Sequence, residues 1–200
     1  MSPQSIIIDP SILPVRLAAL QVAQSKIGME EEKDPKTGRG LNTGVIYDWA
    51  TEGMTTQKGH FWCAFFYCQA HRRVLLERIA KATTQEERAY FQDLLSRWKK
   101  IATGDCDLLW KRMTAEGWTW LWMENGRLPE PGDGLFYIHV KDGERVYHRD
   151  ATPNLRHVAF ITEFSPPDVH DLSGNHADQV GPHKTAIKDI GIHGCVRIPW

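Results

Sequence analysis

Phe61-Trp62-Cys63-Ala64-Phe65-Phe66-Tyr67-Cys68-Gln69-Ala70 follows Gly59 and runs on through Val74 to Ile79 with neither glycine nor proline. A run of that length exceeds an ordinary strand, so the stretch predicts a buried helix with Cys63 in its first turn. On the N-terminal side, Leu13, Leu17, Leu20, Val22, Ala23 and Ile27 form an apolar stripe at helical spacing. Pro14 suits a first-turn position and Gly28 a stop, which predicts a helix over 14–27. Glu30 to Gly44 is charged and glycine-rich and reads as a surface loop.

On the C-terminal side, Thr83 or Thr84 followed by Glu86 and Glu87 is an N-cap signature for a charged amphipathic helix ending near Ile101. Asp105 caps a further helix ending near Gly117. The segment from about 71 to 117 therefore reads as a helical insertion over the core. The alternating Trp118, Trp120 and Trp122 lead to a turn at Pro129-Glu130-Pro131-Gly132-Asp133-Gly134. Tryptophans so dense belong more often to a core than to a sugar-gripping surface. Short β-type runs follow at 135–140, 145–148, 157–164, 169–172 and 195–198, divided by Asp-Gly, Pro-Pro and Gly-Asn turns. Helices first and strands afterwards predict an α+β fold with a small antiparallel sheet.

The chain's 200 residues suffice for one core, so one domain over 1–200 is expected. Lys and Arg number 24 against 25 Asp and Glu, a balance that does not point to nucleic acid. No apolar run approaches the roughly 20 residues of a membrane span. Cys63, Cys68, Cys106 and Cys195 form no CxxC pair and read as buried free thiols, with a pairing of Cys106 and Cys195 left open. The histidines form no HExxH or similar ligand pair, and most read as surface residues. Asp34, Thr37 and Asn42 lack an EF-hand pattern, so neither a metal nor a cofactor is expected.

Thiol catalysis needs a cysteine of lowered pKa, a histidine to carry the proton and a polar group to hold the imidazole. A helix N-terminus supplies the first condition to Cys63, and its free N–H groups favour an oxyanion. His157 heads the apolar run His157-Val158-Ala159-Phe160-Ile161. Asn175, in Ser173-Gly174-Asn175 just after the next strand, would lie beside it if consecutive strands pair. Cys68 lies five residues beyond Cys63 and projects roughly 140° away from it on a helix.

Trp62-Cys63-Ala64-Phe65-Phe66, Pro131-Gly132-Asp133, His157-Val158-Ala159-Phe160-Ile161, Gly174-Asn175 with Asp178, and a closing Val196-Arg197-Ile198-Pro199 occur in that order. In this order and spacing the chain resembles the CHAP and NlpC-type peptidoglycan hydrolases of the papain-like superfamily, over about residues 15 to 200. The resemblance implies a papain-like core, Cys63 as nucleophile, His157 as base and cleavage of peptidoglycan amide bonds by an amidase or endopeptidase. Many CHAP members carry Glu where Ser173 stands, so the third polar role falls to Asn175. Tyr47, Trp62 and His176 are candidates for substrate or oxyanion contacts, with core packing the alternative for Tyr47.

No basic start, apolar stretch and small-residue cleavage site opens the chain, since Ile6-Ile7-Ile8 meets Asp9-Pro10 at once. The expectation is a protein made in the cytoplasm without a signal peptide. It would reach the wall through a secretion apparatus, as an antibacterial effector, or in phage lysis. A delivered toxin would have an immunity protein as partner. Two alternatives keep the sequence pattern: a papain-like deamidase or acyltransferase, and a non-catalytic wall-binding or phage structural module.

Overall fold

A computed structural model describes residues 13–54, 62–122 and 126–200, without the His176 side chain. Among the described residues five helices precede most of the sheet. They are α1 (Val15–Gln24), α2 (Val45–Thr51), α3 (Cys63–Lys81), α4 (Gln85–Ile101) and α5 (Cys106–Ala115). The strands are β1 (Thr119–Leu121), β2 (Gly134–Ile138), β3 (Val140–Lys141), β4 (Glu144–Arg145), β5 (Leu155–Ser165), β6 (Asp168–His176), β7 (Gln179–Ala186) and β8 (Ile192–Val196). Six form one sheet in the order β1-β8-β2-β5-β6-β7, antiparallel at each pairing, and β3 with β4 makes a separate hairpin. The protein is therefore an α+β fold built on an antiparallel sheet.

The expected long helix is α3, which begins at Cys63 itself. Residues 63–71 are all buried, so its first turns are enclosed on every side instead of presenting one apolar stripe. The caps expected for the next two helices are present. Thr84 accepts from the Glu87 N–H while Glu87 reaches back to Thr83, and Asp105 accepts from the Leu108 N–H. The first helix stops at Gln24, three residues short of Ile27, which is exposed and has no face to bury.

Phe136, Ile138, Val158, Phe160 and Leu172 point from the sheet into the helices. Leu135, Tyr137, Ala159, Ile161 and Val169 alternate with them into a second cluster on the opposite face, together with Trp120, Ile192 and Cys195. Covered on both faces, β2 and β8 are buried at all five positions each. Trp118 and Trp120 are core residues, and the Trp118 ring meets Trp200 edge-on at 4.6 Å.

Pro131-Gly132-Asp133 fastens the sheet to the first helix. Gly132 has φ +86°, and a Cβ there would lie 2.9 Å from the Arg16 carbonyl oxygen. Asp133 is fully buried and accepts from Arg197 Nε at 3.0 Å and Nη2 at 2.8 Å, with Arg16 Nη1 at 3.7 Å. Losing one member of such a pair leaves the other charge uncompensated. Asp133→Ala is therefore expected to lower unfolding free energy by about 3–5 kcal/mol, read as a fall in the urea midpoint, with Asp133→Asn falling between the two.

Candidate active site

Cys63 opens α3, is 3% exposed and lines a cleft of about 410 Å³. The cleft is lined by Tyr137, Arg156, His157, Asp171, Ser173, Asn175, Asp178 and His183. The residue ahead of Cys63 is Trp62, whose buried ring acts as a wedge between the start of α3 and β6. A Cβ on Gly174 would overlap the Trp62 ring and sit 2.7 Å from Phe66 Cγ. Glycine at 174 thus lets the start of α3, with Cys63, approach the strand that carries Ser173 and Asn175.

The loop behind Trp62 is partly interior. Glu31 is 4% exposed, accepts from Trp62 Nε1 at 3.5 Å and from the Asn42 N–H, and hydrogen-bonds Asp178. Burial, together with the Asp178 charge, pushes its carboxyl up in pKa against the pull of the Asn42 and Trp62 bonds. Asp178 in turn accepts from the Gly40 N–H at 2.9 Å. The 30–44 segment, expected as a surface loop, is therefore anchored at Glu31 to the β6–β7 hairpin. Its tip around Lys36 to Arg39 is exposed.

His157 stands at the start of β5 against the Cys63 sulfur. A hydrogen bond from Cys106 is the largest influence lowering the Cys63 thiol well below the ordinary range. Burial opposes it, and the charge and hydrogen bond of His157 and the Val158 backbone reinforce it. Burial alone would lower the His157 imidazole, but the charge and hydrogen bond of Cys63, followed by the Asp171 charge, leave it raised. The two shifts run in the directions that favour a thiolate at Cys63 and an imidazolium at His157. The His157 Nε2 and Ser173 Oγ atoms are closed off from solvent and have no partner among the described residues.

Asn175 lines the same cleft, at φ +60° in an irregular stretch of β6, and its amide donates to Asn42 Oδ1 at 3.4 Å. Asp171, which the sequence did not single out, is 1% exposed in the middle of β6. It accepts from the Tyr137 hydroxyl at 2.6 Å and lies 3.5 Å from His183 Nδ1. Tyr47 is buried in the helical core on α2, and the His176 side chain lies outside the described residues. His60 is outside them as well.

The reading of the cysteines as buried free thiols holds, and the pairing of Cys106 with Cys195 that the sequence leaves open is not made. All four are free and buried, but Cys106 lies against Cys63, Sγ to Sγ 3.7 Å, while Cys195 sits in the cluster on the other face of the sheet. Two histidines are interior instead of superficial. His71 is fully buried, stacked on Phe160 at 5.3 Å, and burial brings its pKa down to about 4. His193 is 6% exposed and is likewise lowered to about 4 by burial.

A larger groove of about 520 Å³ between α1, α3 and α4 is lined by Ala18, Val22, Val74, Arg78 and Phe91 and holds no thiol. Among the described residues no group of three His, Cys, Asp or Glu side chains is placed to hold a metal ion. No described helix is long and apolar enough to cross a membrane.

The lowered thiol has a direct consequence. Iodoacetamide is expected to label Cys63 well below the ordinary thiol pKa of about 8.5, because a depressed pKa keeps the thiolate populated until the pH falls through the depressed value. Cys68, which burial pushes up to about 12, should remain unlabelled over the same range. A pH–rate profile of site-resolved alkylation checks both, and equal rates at neutral pH would remove the case for an activated Cys63. Comparison with family models, curated proteins and solved structures found no match for the chain.

Proposed function

We propose that this protein is a cysteine hydrolase with a papain-like core that cuts amide bonds of peptidoglycan. The observation that carries the chemistry is a lowered Cys63 thiol at the N-terminus of α3 beside a raised His157 imidazole, both opening on one cleft. The Cys63 thiolate attacks the amide carbonyl, and the free N–H groups at the start of α3 face the charge that develops on oxygen. His157 gives its proton to the leaving amine. It then takes one from water as the thioester is hydrolysed. Asp171 holds the imidazolium through its charge, the role the sequence reading gave to Asn175.

The peptidoglycan substrate rests on the ordered likeness of the Trp62-Cys63, Pro131-Gly132-Asp133, His157-Val158 and Gly174-Asn175 motifs to CHAP and NlpC-type enzymes. Incubating purified peptidoglycan with wild-type protein and with Cys63→Ala, then identifying the fragments by mass spectrometry, tests it. New amide-cleaved muropeptides from wild type alone are expected. An unchanged profile from protein whose Cys63 is readily alkylated would overturn the wall substrate, and would direct attention to protein glutamines or acyl donors.

A further inference from the structure

The segment joining α4 to α5 is fitted against the nucleophile's helix. Gly104 lies flat on the Phe65 ring, where any Cβ would overlap it, and Cys68 Sγ meets the Thr103 carbonyl at 3.6 Å. Asp107, the second residue of α5, accepts from the Leu155 N–H at 2.6 Å and is 2.8 Å from His148 Nε2. These contacts pin the start of α5 between α3 and the head of the strand that bears His157. The result is a second buried thiol, Cys106 at 8% exposure, in van der Waals contact with the first.

Two sulfurs 3.7 Å apart already stand near the roughly 2.05 Å separation of a disulfide bond. We propose that Cys106 is a resolving thiol, so that a hydroperoxide converts the nucleophile into a reversible Cys63–Cys106 disulfide. The Cys63 thiolate attacks the outer peroxide oxygen, the O–O bond breaks, and the departing alkoxide or hydroxide takes the proton of the His157 imidazolium, leaving that ring neutral. Sulfur is oxidised to a sulfenic acid and the peroxide is reduced to an alcohol or water. Cys106 then gives its proton to His157 and attacks Cys63 Sγ. The S–S bond forms, the S–O bond breaks, and the hydroxide leaves as water with the proton from His157. A dithiol reverses the lock by exchange, regenerating both thiols as it becomes a disulfide itself.

The asymmetry between the two thiols suits these roles. Cys63 is lowered and reacts first, while the hydrogen bond to Cys63 and burial push Cys106 well up, keeping it protonated until a sulfenic acid stands beside it. Cys68 and Cys195 are internal controls, one against a backbone carbonyl and the other on the far face of the sheet.

The proposal rests on the thiols of the site and not on the wall substrate, so its test reads the thiols directly. Full-length protein is treated with a small excess of hydrogen peroxide, blocked with N-ethylmaleimide and digested without reductant. The expected result is a peptide pair joined through residues 63 and 106 and an intact mass lower by two hydrogens. Iodoacetamide labelling of Cys63 should fall at least about tenfold and return with dithiothreitol. In Cys106→Ser the same treatment should carry Cys63 on to sulfinic acid, with labelling that dithiothreitol does not restore. Sulfinic acid on Cys63 of the wild type without the joined peptide would overturn the proposal, as would full recovery by Cys106→Ser. Because the joined peptide is read in wild type, the test stands even if the variant fails to fold.

Discussion

Replacing Cys63 with alanine is expected to lower amide cleavage by on the order of 10⁴–10⁶-fold, because the covalent route then has no nucleophile. His157→Ala should approach the same loss, and the double variant should lose little more than either single one, since the thiolate and imidazolium act as a unit. Cys68→Ala is the matched control. It sits in the same helix, is as deeply buried and loses the same sulfur, so it shares the packing cost while staying within about twofold of wild-type rate. Initial rates of fragment release, taken beside thermal melts of each variant, separate chemistry from folding. A Cys63→Ala protein that kept a tenth of the wild-type rate would end the cysteine mechanism and favour a module in which Cys63 only packs.

The elements legible in the sequence were those whose signals are local. The unbroken run after Trp62 announced α3, and the Thr84 and Asp105 caps announced α4 and α5. Strand β7 was missed because Gly181, Pro182 and Lys184 look like a loop. It lies at the sheet's edge, where a proline costs no ladder bond to an outer neighbour. Ser173-Gly174-Asn175 resembled a turn but continues β6, and Gly174 is there because Trp62 and Phe66 press against it. The short helix α2 has glycine at its N-cap and a β-branched start, so nothing local marked it before Ile46, Tyr47 and Ala50 were buried.

At the site, the meeting of Cys63 and Cys106 across 43 positions depends on how α4 and α5 fold back, which no spacing rule conveys. Asp171 and Glu31 left a faint trace. An acidic residue inside the Val169–Leu172 run has to find buried partners, and that was the signal by which Asp171 could have been found.

The second large effect is therefore assigned to Asp171. Its carboxylate is held by the Tyr137 hydroxyl at 2.6 Å, and against burial, which lowers His157, its charge adds to the larger contributions of Cys63 that raise it. Asp171→Ala should lower kcat by on the order of 10²–10⁴-fold, in line with loss of the carboxylate that steadies a catalytic imidazolium. The direction in pH follows from the same charge. Without it the His157 pKa falls, so the alkaline limb of the rate profile, where the imidazolium deprotonates, moves to lower pH and the active window narrows from that side. Asp171→Asn keeps the size of the side chain and a partner for the Tyr137 hydroxyl, and should show the same displaced limb with a smaller loss of stability. Asn175→Ala removes an amide that lines the cleft and bonds Asn42, and is expected to cost about tenfold or less with the limb unmoved. Parallel pH–rate profiles of the three variants decide between the two residues. A displaced limb in Asn175→Ala with an unchanged one in Asp171→Ala would return the third role to the asparagine.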